Sequence, residues 1–449
     1  MKTFKKIWFL VLLLLLLLPM LQRWLQWVDE KPLDGAFVEM PRPVVTLKTL
    51  FNETAQDSLM TYCTEQSGFR KTLIRLNNQL LYSAFGKVSA IGPVKGKNGQ
   101  TFIEESYIIS YTGETFIGEE KINTTVQQIK LIQEMLKAKG VTLLPVFALG
   151  KASYYPEFIP DRYIAKSWGT NNYQVYLNAL NEQQVEMIDF NRYFCDRKDQ
   201  FEHPLYCDLS AHWTVYAASQ AVDSLVRFME RRTQQPQAHF EITGFETTYL
   251  MEQDDDLYRM MNLMLPIKHN TIDQPKFSFT EGYKPKVLTI SDSYWWTVWA
   301  WNVALPQHIF SDGGFWFYNK TVYPERTPVQ NVESVDYKQE IESQEFVLLV
   351  CTEATNHLWP YGFTERYLSG YDNVFRYKQT EQYDAADSIY VVYRNEEIGK
   401  NIQRIKESPE WLESVTRQAE EKGITVEQSL WDNAEYTYRM DIEPKGFVR

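Results

Sequence analysis

Short, nearly continuous apolar runs alternating with helical periodicities constrain this chain more than any other feature. Val141 to Phe147, Val185 to Ile188, Val287 to Ile290 and Phe346 to Val350 are each too short for a core helix. Strands of that kind are apolar on both faces, so they belong inside a parallel sheet with helices on each side. The covering helices lie between them. Val126, Ile129, Ile132, Met135 and Leu136 have helical spacing and stop at Gly140; a second helix runs near Tyr173 to Leu180. Val215, Ala218, Val222, Leu225, Val226 and Met229 form one face of a third. The class is α/β. Beyond about residue 395 the strands cease, and Ile398, Ile402 and Ile405, then Trp411, Leu412, Val415 and Ala419, predict a tail of two helices broken at Pro409.

The chain opens with Lys2, Lys5 and Lys6 ahead of an apolar run from Ile7 to Leu21, which Trp24, Leu25, Trp27 and Val28 extend. No small-residue cleavage site comes after it, so residues 1–28 are expected to be an uncleaved signal anchor, its basic end inside and the rest outside. Pro32, Pro41 and Pro43 suit an extended tether over 29–60, a folded body over 61–395 and the helical tail over 396–449. The location expected is therefore membrane-anchored and extracytoplasmic, the periplasm in a Gram-negative cell. With 46 basic against 58 acidic side chains the net charge is −12, which disfavours a nucleic-acid partner. Cys63, Cys195, Cys207 and Cys351 show no zinc-ligand spacing, so no metal is expected; Cys195 and Cys207 either pair or, like the others, stay free. No glycine-rich phosphate loop is present, so no nucleotide cofactor is expected.

In an open parallel sheet, reactive groups gather at the carboxyl ends of strands. Two segments qualify. Ser291-Asp292-Ser293-Tyr294 comes directly after the strand ending at Ile290, and a serine on such a turn exposes its hydroxyl beside backbone N–H groups. Asp208-Leu209-Ser210-Ala211-His212-Trp213-Thr214 opens the helix that runs to Met229. A nucleophilic serine needs an imidazole within reach and an acceptor that fixes the imidazole tautomer. The same residues also suit helix capping and ordinary packing. His357, after another strand end, is a further candidate.

The ordered series of motifs resembles the SGNH-type acyl-transfer domains of the alginate O-acetyltransferase J and X proteins, the DHHW-like family. Gly68-Phe69-Arg70 with Leu73-Ile74 and Asn78-Gln79, then Lys95-Gly96-Lys97-Asn98-Gly99, resemble its opening segments, with Gln100 where an aromatic is usual. Lys151 to Pro160, "KASYYPEFIP", resembles its first loop; Leu209 to Thr214, "LSAHWT", its "tDtHWt"; Val287 to Tyr294, "VLTISDSY", its "vLviGDSf". The likeness covers roughly residues 60–365 and implies an SGNH hydrolase-like sheet. It further implies acetyl transfer to hydroxyls of an exported polysaccharide through an acetyl ester on Ser293, with His212 as base. A membrane-bound O-acyltransferase would then supply the acetyl group across the inner membrane.

Two departures stand out. Ser210 replaces the family's orienting Asp, and Ser291 replaces its Gly. Asp208 is the first substitute for the lost carboxylate, with Asp292 and Glu353 behind it. Tyr318 and Asn319, in the aromatic string from Phe315, are candidate oxyanion donors, the alternative being an aromatic core strand. A carbohydrate esterase uses the same Ser–His pair with water as acceptor. A non-catalytic glycan-binding or assembly subunit would instead use Tyr294, Trp295, Trp296, Trp299 and Trp301, whose spacing better suits a buried helical face.

Overall fold

The structure, a computed structural model, describes the chain except residues 1, 36–40, 45, 47–52, 168, 251–252, 268–270, 301–303, 325–329 and 445–449. Trp301 and part of the expected tether thus lie outside the described residues. The chain divides into two compact units, and these do not respect linear boundaries at 28, 60 and 395. Met1–Glu104, Cys207–Ala211 and Thr248–Ile272 make the first; Glu105–Tyr206, His212–Thr247 and Asp273–Arg449 make the second.

In the first unit, helix α1 (Lys2–Leu25) is long and apolar enough over Phe4–Leu25 to cross a membrane. Helices α2 (Glu53–Glu65) and α3 (Arg70–Phe85) come next. The stretch after α1 is not a free tether. Glu30 accepts the N–H groups of Phe69 and Thr72 at 2.9 Å, which satisfies donors that α3 leaves open at its start. Arg75 donates to the carbonyls of Lys31 and Pro32, so residues 30–32 are pinned along α3. Gly68 is required here: a Cβ would stand 2.3 Å from the Pro19 carbonyl oxygen of α1.

The second unit is built on a six-stranded sheet. Its strands are β1 (Thr142–Phe147), β2 (Ile188–Asp189), β3 (Lys286–Ser291), β4 (Ser311–Phe317), β5 (Thr321–Tyr323) and β6 (Phe346–Cys351), in the order β2-β1-β6-β3-β4-β5. All neighbours are parallel except the β4–β5 hairpin at the edge. Central β6, FVLLVC, is buried at every residue, as an apolar strand covered on both faces must be. Phe315 and Trp316 make the aromatic string a buried part of β4. On one face α4 (Glu119–Ala138) packs on β1 and on α5 (Asn172–Glu182), and α6 (Val215–Thr233) comes later in the chain.

The carboxyl end of the chain departs from the expected pair of helices. After α7 (Phe363–Phe375), the tail begins with α8 (Ala385–Glu407), which starts before residue 395 and packs on α4, then α9 (Pro409–Lys422) and α10 (Val426–Asp441). A third helix arises because Leu430, Ala434 and Tyr438 repeat at i+4 and bury their face. Pro409 opens α9, where its missing N–H costs nothing. The tail is tied to α7 by a buried charge network: Arg394 Nε donates to Asp372 at 3.1 Å and its Nη2 to Glu435, while Tyr390 donates to Asp372 at 3.1 Å. Arg394→Met leaves Asp372 without its main counter-charge and is expected to destabilise the protein by about 3 kcal/mol in urea unfolding. Asp372→Asn in the same chain should recover part of that loss, a coupling that a double-mutant cycle measures.

Candidate active site

The parallel register aligns strand ends. Phe147 stands opposite Asp189 and Cys351, and Ser291 opposite Phe317. The loops that leave β1, β6 and β3 therefore meet at one edge of the sheet, and they carry Lys151, Glu353 and Ser293.

Ser293 begins a 3-10 turn capped by Asp292, whose Oδ1 accepts the Tyr294 N–H at 3.0 Å. The other carboxylate oxygen accepts Thr352 N–H at 3.1 Å, Thr352 Oγ1 at 2.9 Å and Thr355 Oγ1 at 2.5 Å. Asp292 is fully buried, and these donors keep its charge solvated. It fixes the turn, and neither of its oxygens bonds to the imidazole.

His212 Nε2 lies 3.0 Å from Ser293 Oγ, both side chains half-buried. The ring owes its place to the next two residues. Thr214 caps α6, its Oγ1 accepting the Ala217 N–H at 3.2 Å, so His212 stands just ahead of the helix. Trp213 Nε1 donates to the Tyr294 carbonyl at 3.3 Å, and the Tyr294 ring lies against His212 and Trp213 at centroid distances of 5.2 and 5.4 Å. Two dipeptides, His212-Trp213 and Ser293-Tyr294, are thereby locked to each other. Behind them Tyr206 donates to the Leu149 carbonyl at 2.7 Å and meets the Tyr294 hydroxyl at 2.9 Å. Burial pushes both phenols well above their ordinary range, so they remain protonated hydrogen-bonding groups. Sequence reasoning misses Trp213, Tyr206 and Tyr294 as supports of the His212–Ser293 pair. The motif pair His-Trp and Ser-Tyr is the signal available for two of them.

The remaining candidates have other roles. Glu353 is buried, but its oxygens accept Ala152 N–H at 2.6 Å and Ser153 N–H at 3.0 Å together with the Ser153 hydroxyl, so it caps the short helix Lys151–Tyr154 and does not orient His212. Gly150 is needed for this approach, since a Cβ there would stand 2.3 Å from Glu353 Cδ. The Asn319 amide donates to the Tyr361 carbonyl at 3.1 Å and its oxygen accepts from Tyr337 at 2.9 Å, so it is no oxyanion donor. Tyr318 sits in the same turn, its ring against Tyr361 at 5.4 Å. Asp208 lies in the first unit, where Gln100 Nε2 donates to it and its carbonyl accepts the Thr101 N–H at 2.8 Å. Ser210, in the same unit, is buried and donates to the Gln253 carbonyl at 2.7 Å. His357 has a buried Nδ1 with no hydrogen-bond partner, and burial holds its pKa low. Tyr294 and Trp295 are buried, and Trp296 packs on Phe315, Phe317 and Tyr323, so this part of the aromatic cluster is core. No disulfide is formed among the four cysteines.

Residues 94–274 match the family model of the SGNH hydrolase-like domain of the acetyltransferase AlgX, a span that takes in His212 and ends before Ser293. Over those residues the fold is SGNH hydrolase-like, and the domain matched is that of an acetyltransferase. The O-acetyltransferase domain of AlgJ from Pseudomonas putida is 16% identical over 61% of this chain and 99% of its own, with a TM-score of 0.41. AlgX of Pseudomonas aeruginosa is 11% identical over 61% of this chain and 65% of its own, with a TM-score of 0.40. A DHHW family protein from Eubacterium siraeum is 10% identical over 54% and 88%, with a TM-score of 0.33. No curated protein matches the chain.

Burial raises the Glu353 carboxyl from an ordinary 4.5 to about 7, against the opposing pull of its hydrogen bonds. The folded state therefore holds the proton more tightly than the unfolded chain, so this group favours folding fully below pH 4.5 and loses that contribution as pH rises through 7. Glu353→Gln should remove this slope: the stability of the wild type relative to the variant is expected to fall by roughly 3 kcal/mol between those limits, read from urea midpoints. A constant difference across the range would contradict it.

Proposed function

We propose that this chain is an extracytoplasmic O-acetyltransferase that acts on hydroxyls of an exported polysaccharide through an acetyl ester on Ser293. The observation that carries the reading is the 3.0 Å approach of His212 Nε2 to Ser293 Oγ at the carboxyl edge of the sheet. The AlgX-type family match over residues 94–274 supports the class of reaction.

The reaction has two halves. Ser293 Oγ adds to the acetyl carbonyl carbon of a donor ester or thioester while its proton passes to His212 Nε2. The bond to the donor's leaving group breaks, and the imidazolium returns that proton to it. An acceptor hydroxyl then gives its proton to His212, adds to the same carbon and expels Ser293 Oγ, which regains a proton. A membrane-bound O-acyltransferase is the donor proposed, because the chain shows no nucleotide-binding motif that would hold acetyl-coenzyme A. The apolar α1, with Lys2, Lys5 and Lys6 ahead of its apolar run, is proposed as the anchor that keeps the body outside the cytoplasm. Ser210 at the family's Asp position predicts slow turnover, since loss of the orienting carboxylate in a serine protease lowers kcat about 10⁴-fold.

Incubation with an activated acetyl ester should leave an acetyl group on Ser293, detected by peptide mass spectrometry. Ser293→Ala should abolish it, and His212→Ala should slow its formation at least about 10²-fold. Added oligosaccharide should receive the acetyl group. Acetate release at a rate indifferent to the sugar would favour an esterase, and the absence of any adduct would reject Ser293 as nucleophile.

A further inference from the structure

Helix α3 exposes the wrong side for a helix in water. Leu73, Leu76 and Leu80 are 54%, 54% and 59% accessible, and the other exposed residues between them and the helix end are Asn77, Ser83, Ala84 and Phe85. That arc carries no charged side chain, whereas the solvent face of a soluble helix normally does. The opposite side packs inward, with the buried Asn78 donating to the Met261 carbonyl at 2.9 Å.

Two further observations say what meets this face. The first is charge. Between Glu65 and Glu104 the sequence has no acidic residue but contains Arg70, Lys71, Arg75, Lys87, Lys95 and Lys97, a formal +6 in a chain whose total is −12; Arg70 is paired with Glu65 at 2.6 Å, which leaves the other five. The second is position. Gly68, two residues before α3, lies so close to the last turns of α1 that a Cβ would meet Pro19 O, Gln22 Cβ and Arg23 N within 2.8 Å. The helix thus starts where the candidate membrane span ends.

We infer that α3 lies on the bilayer that α1 spans, its Leu73-Leu76-Leu80 face among the acyl chains and the surrounding basic residues at anionic headgroups. An uncharged apolar arc bordered by Lys and Arg is the composition of an interfacial helix, and each basic residue near an anionic surface adds about 1 kcal/mol. At about 1.5 Å per residue, the 16 residues of α3 give some 24 Å of contact along the surface. The inference rests on the anchoring proposed above and adds a second attachment, which turns a single pivot into a fixed orientation of the first unit.

The full chain, with Cys63→Ser removing the exposed thiol, is reconstituted into vesicles of phosphatidylcholine and phosphatidylglycerol. An environment-sensitive dye is attached at Leu76→Cys or Leu80→Cys, with Leu14→Cys in α1 and Glu413→Cys in α9 as references. Lipids brominated on their acyl chains should quench the dye at 14, 76 and 80 and leave 413 unchanged. Leu73→Asp should lessen the quenching at 76 without changing circular dichroism. Quenching at 14 with 76 and 80 behaving like 413 would overturn the inference and leave the anchor standing, and a protein partner covering the face would give that same result. No quenching at 14 would remove the anchor reading and this inference with it.

Discussion

The buried carboxylate of Asp292 is the interaction on which the candidate site depends. A fully desolvated charge persists only when donors replace the lost water, and here the Tyr294 N–H, Thr352 N–H and the Thr352 and Thr355 hydroxyls do so. Because these donors come from the ends of two adjacent strands, satisfying the charge also fixes the distance between them. Ser293 is the next residue and inherits that position. The sequence Asp-Ser after a strand thus supplies a brace and the proposed nucleophile in consecutive residues. Removing the carboxylate would orphan a buried backbone N–H as well as release the turn, the costlier side of any hydrogen-bond deletion.

Much of this is legible in the chain, and the reasons differ by element. The runs Val287 to Ile290 and Phe346 to Val350 announce buried strands because burial on both faces leaves no place for polar side chains. The Ser–His pairing is readable from motif order: each motif marks a strand end or helix start, and a parallel sheet brings such ends to one edge. What stays hidden is the use to which carboxylates are put. Asp292 and Glu353 stand level as candidates for orienting His212, since sequence spacing does not say which backbone N–H groups lie opposite. Asp292 is taken by the turn it caps, and Glu353 by the helix at Lys151. The division into units is equally illegible, because residues 207–211 and 248–272 join the first unit through contacts distant in sequence, such as the Leu257 N–H to the Leu209 carbonyl at 3.0 Å.

The same contrast applies at the two ends of the chain. The third helix of the tail escapes a sequence reading because its apolar stripe, Leu430, Ala434 and Tyr438, is thin among polar residues, and the bond from Arg394 to Glu435 completes its attachment. The stretch after α1 reads as a tether because proline and scattered apolar residues carry no periodicity. Glu30 and the carbonyls of Lys31 and Pro32 hold it against α3 instead.

The reciprocal lock of His212-Trp213 with Ser293-Tyr294 has a consequence for how the site meets its reactants. The Trp213 indole holds the Tyr294 carbonyl, Asp292 holds the Tyr294 N–H, and the Tyr294 ring backs the imidazole. Moving Ser293 would break contacts on three sides at once, so the proposed reaction would need little reorganisation on meeting a donor. In the proposed reaction, discrimination between a sugar hydroxyl and water would then fall to the walls around the pair. Held this stiffly, the proposed Ser293–His212 pair would let one scaffold change its acceptor by altering loops alone.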